Sequence, residues 1–165
     1  MAEENAEKPR INPIMHIPVP WVFILAYFIG AGLQRVFPVV LIPRDSNWSS
    51  LFHVAGIALT VGGCFLAGWC LKIFHDAKTT TVPFKTPSRL ITAGPYIFTR
   101  NPMYVSLTAI YIGEAFIFKA SWSLVVLLCV LVYVNWIVIP VEEKKLAETF
   151  GRDYEAYCRG VRRWV

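Results

Sequence analysis

Two runs of this chain carry no formal charge, Asn47 to Leu71 and Ala120 to Val141. Each exceeds the roughly 20 mostly apolar residues that a helix needs to cross the hydrocarbon of a bilayer. Hydrocarbon offers the backbone no water, so such runs must satisfy their hydrogen bonds internally as helices. A third run, Trp21 to Leu33, is wholly apolar and reaches spanning length when extended back through Ile17 to Pro20. Pro102 to Phe118 adds a shorter apolar segment interrupted by Glu114. Only 16% of residues are charged, against about 25% in soluble domains. The sequence therefore predicts an all-α, polytopic membrane protein with four transmembrane helices. At 165 residues it has room for a single domain.

Charge sets the expected orientation. With four spans, both termini and the connection between spans two and three share one side. That side holds 13 of the 16 basic residues, from Lys8 and Arg10 through Lys72, Arg89 and Arg100 to Arg162 and Arg163. Only Arg35, Arg44 and Lys119 fall opposite. This positive-inside bias predicts cytoplasmic termini, as for a bacterial or archaeal inner membrane. The net charge of +5 then belongs to a surface facing anionic headgroups, and no nucleic-acid partner is expected. The four cysteines have no CxxC spacing, and His16, His53 and His75 have no metal-ligand spacing, so neither a disulfide framework nor a metal site is expected. The acidic opening Met1-Ala2-Glu3-Glu4 is unlike a cleaved signal peptide.

The expected layout is a polar leader over 1–16, spans one and two over 18–74, a loop over 75–101, spans three and four over 102–139, and an amphipathic helix over 141–158. Span two is rich in small residues (Gly56, Gly62, Gly63, Ala67, Gly68) that let a neighbouring helix approach closely, within the chain or across a dimer. Ser49 or Ser50 can cap it. Spans three and four, joined by a tight turn, form an antiparallel hairpin, and Pro140 marks the exit of span four. The loop is stiffened by Pro83, Pro87 and Pro95 and is too apolar, with Leu90, Ile91, Tyr96 and Phe98, for disorder. A loop of that length is expected to be functional. In the last helix Leu146, Ala147, Phe150, Tyr154, Tyr157 and Cys158 share one face, and Glu143 projects into its middle with Glu142 beside it. A carboxylate aimed at a buried surface needs a partner.

The chemistry-bearing residues form two clusters. The first is Gly94-Pro95-Tyr96, then Arg100-Asn101-Pro102-Met103-Tyr104, in which Asn101 caps span three and Pro102 takes its first position. A helix N-terminus there also suits acidic or polar ligand atoms. The second is Glu142-Glu143 with Leu146, Phe150, Gly151, Tyr154 and Tyr157. Together, in this order, they resemble the isoprenylcysteine carboxyl methyltransferase and phospholipid methyltransferase superfamily, over about Thr80 to Trp164. The resemblance implies an enzyme that uses S-adenosylmethionine, with S-adenosylhomocysteine as product. It places the cofactor in a cytoplasm-facing pocket closed by the loop and the last helix. By position it points to Arg89, Leu90, Ile91, Tyr96, Arg100, Asn101, Pro102, Met103 and Tyr104. It also selects Glu142 of the glutamate pair, whereas the helical projection selects Glu143, so both are kept.

Asn101 stands where the family more often has histidine, which excludes a proton role there. Val138 stands where eukaryotic prenylcysteine enzymes place a substrate-binding arginine. The acceptor implied is a membrane-embedded or prenyl-like molecule, a lipid amine or carboxylate. Glu114 and Asn135, polar groups inside spans, are candidate substrate contacts. No residue stands out as a catalytic base. The alternatives are a sterol-reductase relative using NADPH, and a non-catalytic four-helix transporter or scaffold. The reductases are usually longer, and multidrug-type transporters carry a carboxylate in their first span, which this chain lacks.

Overall fold

The structure is a computed structural model that describes residues 18–42, 47–78 and 88–165. The polar leader, residues 79–87 of the proline-stiffened loop and part of the first turn, including Lys8, Arg10, Pro83 and Lys85, lie outside the described residues. Within them every regular element is helical: α1 (Val19–Val36), α2 (Asn47–Asp76), a short 3-10 turn (Gly94–Ile97), α3 (Pro102–Ile117), α4 (Ser121–Tyr133), a π turn (Val134–Val138), α5 (Ile139–Phe150) and α6 (Arg152–Gly160). Three stretches are long and apolar enough to cross a membrane: α1, α2, and the continuous rod Ser121–Phe150. The 16 residues of α3 span about 24 Å, short of a full hydrocarbon thickness of about 30 Å.

Apolar faces point in both directions. On α1, Val19, Phe23, Ala26 and Gly30 are buried, the three- and four-residue spacing of one helical stripe. Its other face exposes Trp21, Ile24, Leu25, Phe28 and Ile29, and α2 likewise exposes Leu51, Val54, Val61 and Phe65. Apolar surface of this extent is unfavourable in water and suits lipid. The core joins Val19, Phe23 and Ala26 to Tyr104 and Tyr111 of α3 and to Leu127, Val130, Val134 and Ile139 of the last rod.

The packing partners are not the sequence neighbours. α3 packs most extensively on α2, and α4 on α1, while α3 and α4 touch much less. The expected hairpin is therefore a chain reversal more than a packed pair. The reason lies in the small residues. Gly56 and Gly63 of α2 lie against the backbone of Gly113 and Ser106, and Gly113 in turn faces Thr60. Gly30 of α1 meets the backbone of Ser123 in the same manner. Side chains absent at these points let the helix backbones approach. Two of the small residues of α2, Gly62 and Gly68, face open space.

Several boundaries differ from expectation. α2 begins at Asn47 and runs to Asp76, so Ser49 and Ser50 lie inside it and do not cap it. Pro140 does not end the fourth apolar run, because the helix continues through it from Ser121 to Phe150. Proline cannot donate an N–H and clashes with the carbonyl four residues earlier in a regular α-helix. The π turn just before it changes the register, with Ile139 N donating to Val134 O five residues back, which accommodates the ring. The terminal amphipathic segment is two helices, broken at Gly151, whose φ of 51° favours glycine. Ala147, expected on the apolar face, is exposed.

At the end of the bundle away from the glutamate pair, side chains tie the turns together. Gln34 Nε2 donates to Val39 O at 2.8 Å, and Trp122 Nε1 to Phe37 O at 2.6 Å. Leu41 N donates to Ser121 Oγ at 3.0 Å.

Candidate functional site

The other end gathers the 3-10 turn, the start of α3, and the chain from the π turn to the C-terminal residues. Gly94 has a φ of +63°, and a side chain there would meet Ile73 and Trp69 of α2. Glycine thus lets the turn dock on α2. Tyr96 completes the docking. Its buried ring sits edge-on to Phe74, with centroids 5.8 Å apart, and its hydroxyl contacts the Cys70 thiol. Burial pushes the Tyr96 phenol well above its ordinary pKa, so it remains a neutral hydroxyl. The Tyr96 carbonyl accepts a 2.7 Å hydrogen bond from Tyr157 of α6, whose phenol is pushed by burial up to about 12. Tyr96 is thereby held between α2 and α6.

Asn101 occupies the residue before α3, yet its side chain makes no cap hydrogen bond. Its carbonyl accepts from Tyr104 N and Val105 N, and Pro102 fills the first position, where no N–H is needed. The amide reaches away instead, with Nδ2 donating to Arg163 O at 2.9 Å. Thr99 Oγ1 donates to the same carbonyl at 2.9 Å, and Arg100 N donates to Arg162 O at 2.9 Å. The cap is displaced because the C-terminal residues compete for the amide.

The two glutamates have different surroundings. Glu143 is paired with two guanidinium groups: Arg100 Nη2 lies 3.3 Å from its Oε1, and Arg163 engages both its oxygens, with Nε 3.1 Å from Oε1. Arg100 also contacts Cys158 Sγ. Two parallel bonds from one guanidinium fix orientation as well as charge. Glu142, half-buried, accepts a 2.8 Å hydrogen bond at Oε1 from the Tyr104 hydroxyl. Tyr104 is buried and neutral, so this bond orients the carboxylate without neutralising it. Of these two carboxylates, Glu143 is ion-paired, whereas Glu142 is held by a neutral hydroxyl.

The structure thus brings together Tyr96, Arg100, Asn101, Pro102, Tyr104, Glu142 and Glu143, with Met103 half-buried among them. Leu90 and Ile91 are half-buried on the approach to the 3-10 turn, and Arg89 is exposed. Asn135 lies within the π turn and accepts a 2.9 Å hydrogen bond from Trp164 Nε1. Glu114 is apart from all of these. It stands 12 residues along α3 from Pro102, about 18 Å at 1.5 Å per residue, with its carbonyl near the Tyr27 hydroxyl at 3.4 Å.

Arg163 and Trp164 were not among the sequence candidates, where the terminal basic residues counted only as net charge. The signal available was an arginine-aromatic pair just beyond the last helix. Nothing in its spacing names Glu143 or Asn135 as partners.

The donor set also allows a test of fit for a methyl donor. A half-buried carboxylate with a neutral phenol partner suits a cationic or hydroxyl-rich ligand, and S-adenosylmethionine is both. Neither the curated proteins nor the solved structures contain a match to this chain. The profile of the family described as phospholipid methyltransferase matches residues 51–153, which run from α2 through α3 and the glutamate pair to the start of α6. The match covers well over half of the chain and contains the Tyr104–Glu142 contact, and the chain belongs to this family of membrane methyltransferases, within the isoprenylcysteine and phospholipid methyltransferase superfamily.

Proposed function

We propose that this protein is an integral membrane enzyme that transfers a methyl group from S-adenosylmethionine to a lipid or other membrane-embedded acceptor. The observation that carries the reading is the Tyr104–Glu142 hydrogen bond, 2.8 Å across the two sequence clusters. It holds the Glu142 carboxylate in a fixed orientation through a neutral donor. When bound, the donor supplies an electrophilic methyl on a sulfonium centre, and transfer by direct displacement needs alignment above all. In this reading Glu142 holds the ribose hydroxyls or the cationic part of the donor. Pro102, Met103 and Tyr104 line its adenosyl side, Leu90 and Ile91 cover it, and Arg89 lies at the rim. Tyr96, Arg100, Asn101 and Glu143 form the frame. No side chain in the cluster is assigned as a base.

The same reading has four spans, with α3 as a short fourth, and places both termini and the site in the cytoplasm. The concentration of 13 of the 16 basic residues on that side supports it. Asn135 and Glu114 remain proposed acceptor contacts, Asn135 nearer the donor end and Glu114 toward the opposite membrane face.

The test is calorimetric titration of detergent-purified protein with S-adenosylhomocysteine, alongside Glu142→Gln and transfer of labelled methyl into extracted lipid. Saturable binding by the wild type and a much weakened, still measurable affinity in the variant are expected. A folded wild type that binds no S-adenosylhomocysteine but binds NADPH would transfer the site to the reductase reading.

A further inference from the structure

Residues 161–165 make contacts out of proportion to their number. The carbonyl of Arg162 accepts from Arg100 N, and that of Arg163 accepts from both Thr99 Oγ1 and Asn101 Nδ2. The Arg163 guanidinium engages both oxygens of Glu143. Trp164 donates to Asn135 in the π turn, and its ring packs on the core cluster. Five residues thus reach three separate elements.

Among the described contacts none of this touches Glu142 or Tyr104. It touches their neighbours. Asn101 stands one turn before Tyr104, and Glu143 follows Glu142 directly. The backbone of Arg163 therefore holds the α3 half of the Tyr104–Glu142 pair, and its side chain holds the α5 half. α3 and α5 pack little against each other directly, so beyond the Tyr104–Glu142 and Arg100–Glu143 contacts it is residues 161–165 that tie their spacing at the site.

We propose that residues 161–165 are a positioning strap, with Arg163 setting the register of Glu142 against Tyr104 and so the shape of the methyl-donor pocket. The inference rests on the reading of that cluster as a methyl-donor site. Arg163 is a positioning residue, because it reaches the ligand only through Asn101 and Glu143. Its side chain is 34% exposed, and an ion pair that open contributes little to global stability. Its removal therefore affects ligand affinity more than folding.

The experiment is a double-mutant cycle on S-adenosylhomocysteine affinity in the full chain, combining Arg163→Gln with Glu142→Gln, each protein also melted in the same detergent. Arg163→Gln is expected to raise Kd about tenfold with a melting temperature near wild type, and to add less than about twofold in the Glu142→Gln background. Trp164→Phe, which removes the N–H to Asn135 and trims the ring that packs on the core cluster, is expected to show the same coupling at about threefold, and it carries the cycle should Arg163→Gln fail to fold. Equal fold-effects in both backgrounds mark an effect independent of Glu142 and overturn the strap, as does wild-type affinity in both variants. If the folded wild type binds no S-adenosylhomocysteine, the methyl-donor reading falls first and the strap with it.

Discussion

Adjacent glycines on α2 provide opposite outcomes from the same chemical change. A β-carbon at Gly63 would stand 2.9 Å from Ser106 O, 3.1 Å from Ile110 N and 2.7 Å from Ile110 Cγ1. At Gly62 nothing lies within 4 Å. Replacing glycine by alanine inside a helix gains up to about 1 kcal/mol at either position. Only at Gly63 does the added methyl enter an occupied interface. The tip of Ile110 can swing aside, but Ser106 O and Ile110 N belong to the backbone of α3. That helix must retreat by some tenths of an ångström, loosening contacts along the whole α2–α3 seam. Overpacking of this kind costs about 1–3 kcal/mol. The expected balance is Gly62→Ala at or up to about 1 kcal/mol above wild type, and Gly63→Ala about 1–2 kcal/mol below it. Reversible unfolding in mixed micelles with increasing dodecyl sulfate, followed by far-UV circular dichroism, compares the three proteins directly. Equal stability of the two variants, or a more stable Gly63→Ala, refutes the close approach of these helices.

Three further outcomes are expected. Tyr104→Phe keeps the ring and removes the 2.8 Å bond to Glu142; a hydrogen bond to a charged group is worth about 1.5–3 kcal/mol, so S-adenosylhomocysteine affinity measured by calorimetry falls by about tenfold or more. Glu143→Gln leaves Arg100 and Arg163 without their carboxylate, and with Arg163 partly solvated the loss is about 1–2 kcal/mol in the micelle unfolding assay. An unchanged midpoint there contradicts the ion-pair account. The Tyr157 phenol is raised by burial to about 12, above its ordinary value of about 10. Its contribution to stability is therefore fully present below about pH 10 and declines as pH rises through about 12. Tyr157→Phe is expected to make the alkaline limb of a stability-against-pH curve shallower, and an unaltered limb refutes the assignment.

The helical class and the apolar runs were legible because both rest on local composition: a charge-free run of this length has no other stable backbone. The glycines of α2 signalled a close helix contact, but not that α3 rather than another chain fills it. Pro140 was misleading. Its steric rule holds for a regular α-helix, and a π turn five residues long removes the clash without ending the rod. The glutamate pair was legible as a place where carboxylates face inward, yet helical projection selected Glu143 and the resemblance selected Glu142. The structure gives a reason for both, since Glu143 faces two arginines and Glu142 a tyrosine. The arginine at 163 is more than sixty residues from Asn101 and Thr99 in sequence, and contacts made through a backbone carbonyl leave no signature in residue type. Asn101 looked like a cap for the same reason, because the tail that draws its side chain away is distant in sequence.

The unbroken rod from Ser121 to Phe150 also decides where the chain tolerates a change of length. One residue inserted within α4 turns everything after it by about 100° and moves it along the axis by about 1.5 Å. Glu142 would then leave Tyr104, and Glu143 would leave both arginines, although the insertion lay many residues away in the apolar run. An extra residue between Phe118 and Ala120, in the turn before α4, alters no helical phase. Length differences among relatives of this protein should therefore collect in that turn and be rare within α4.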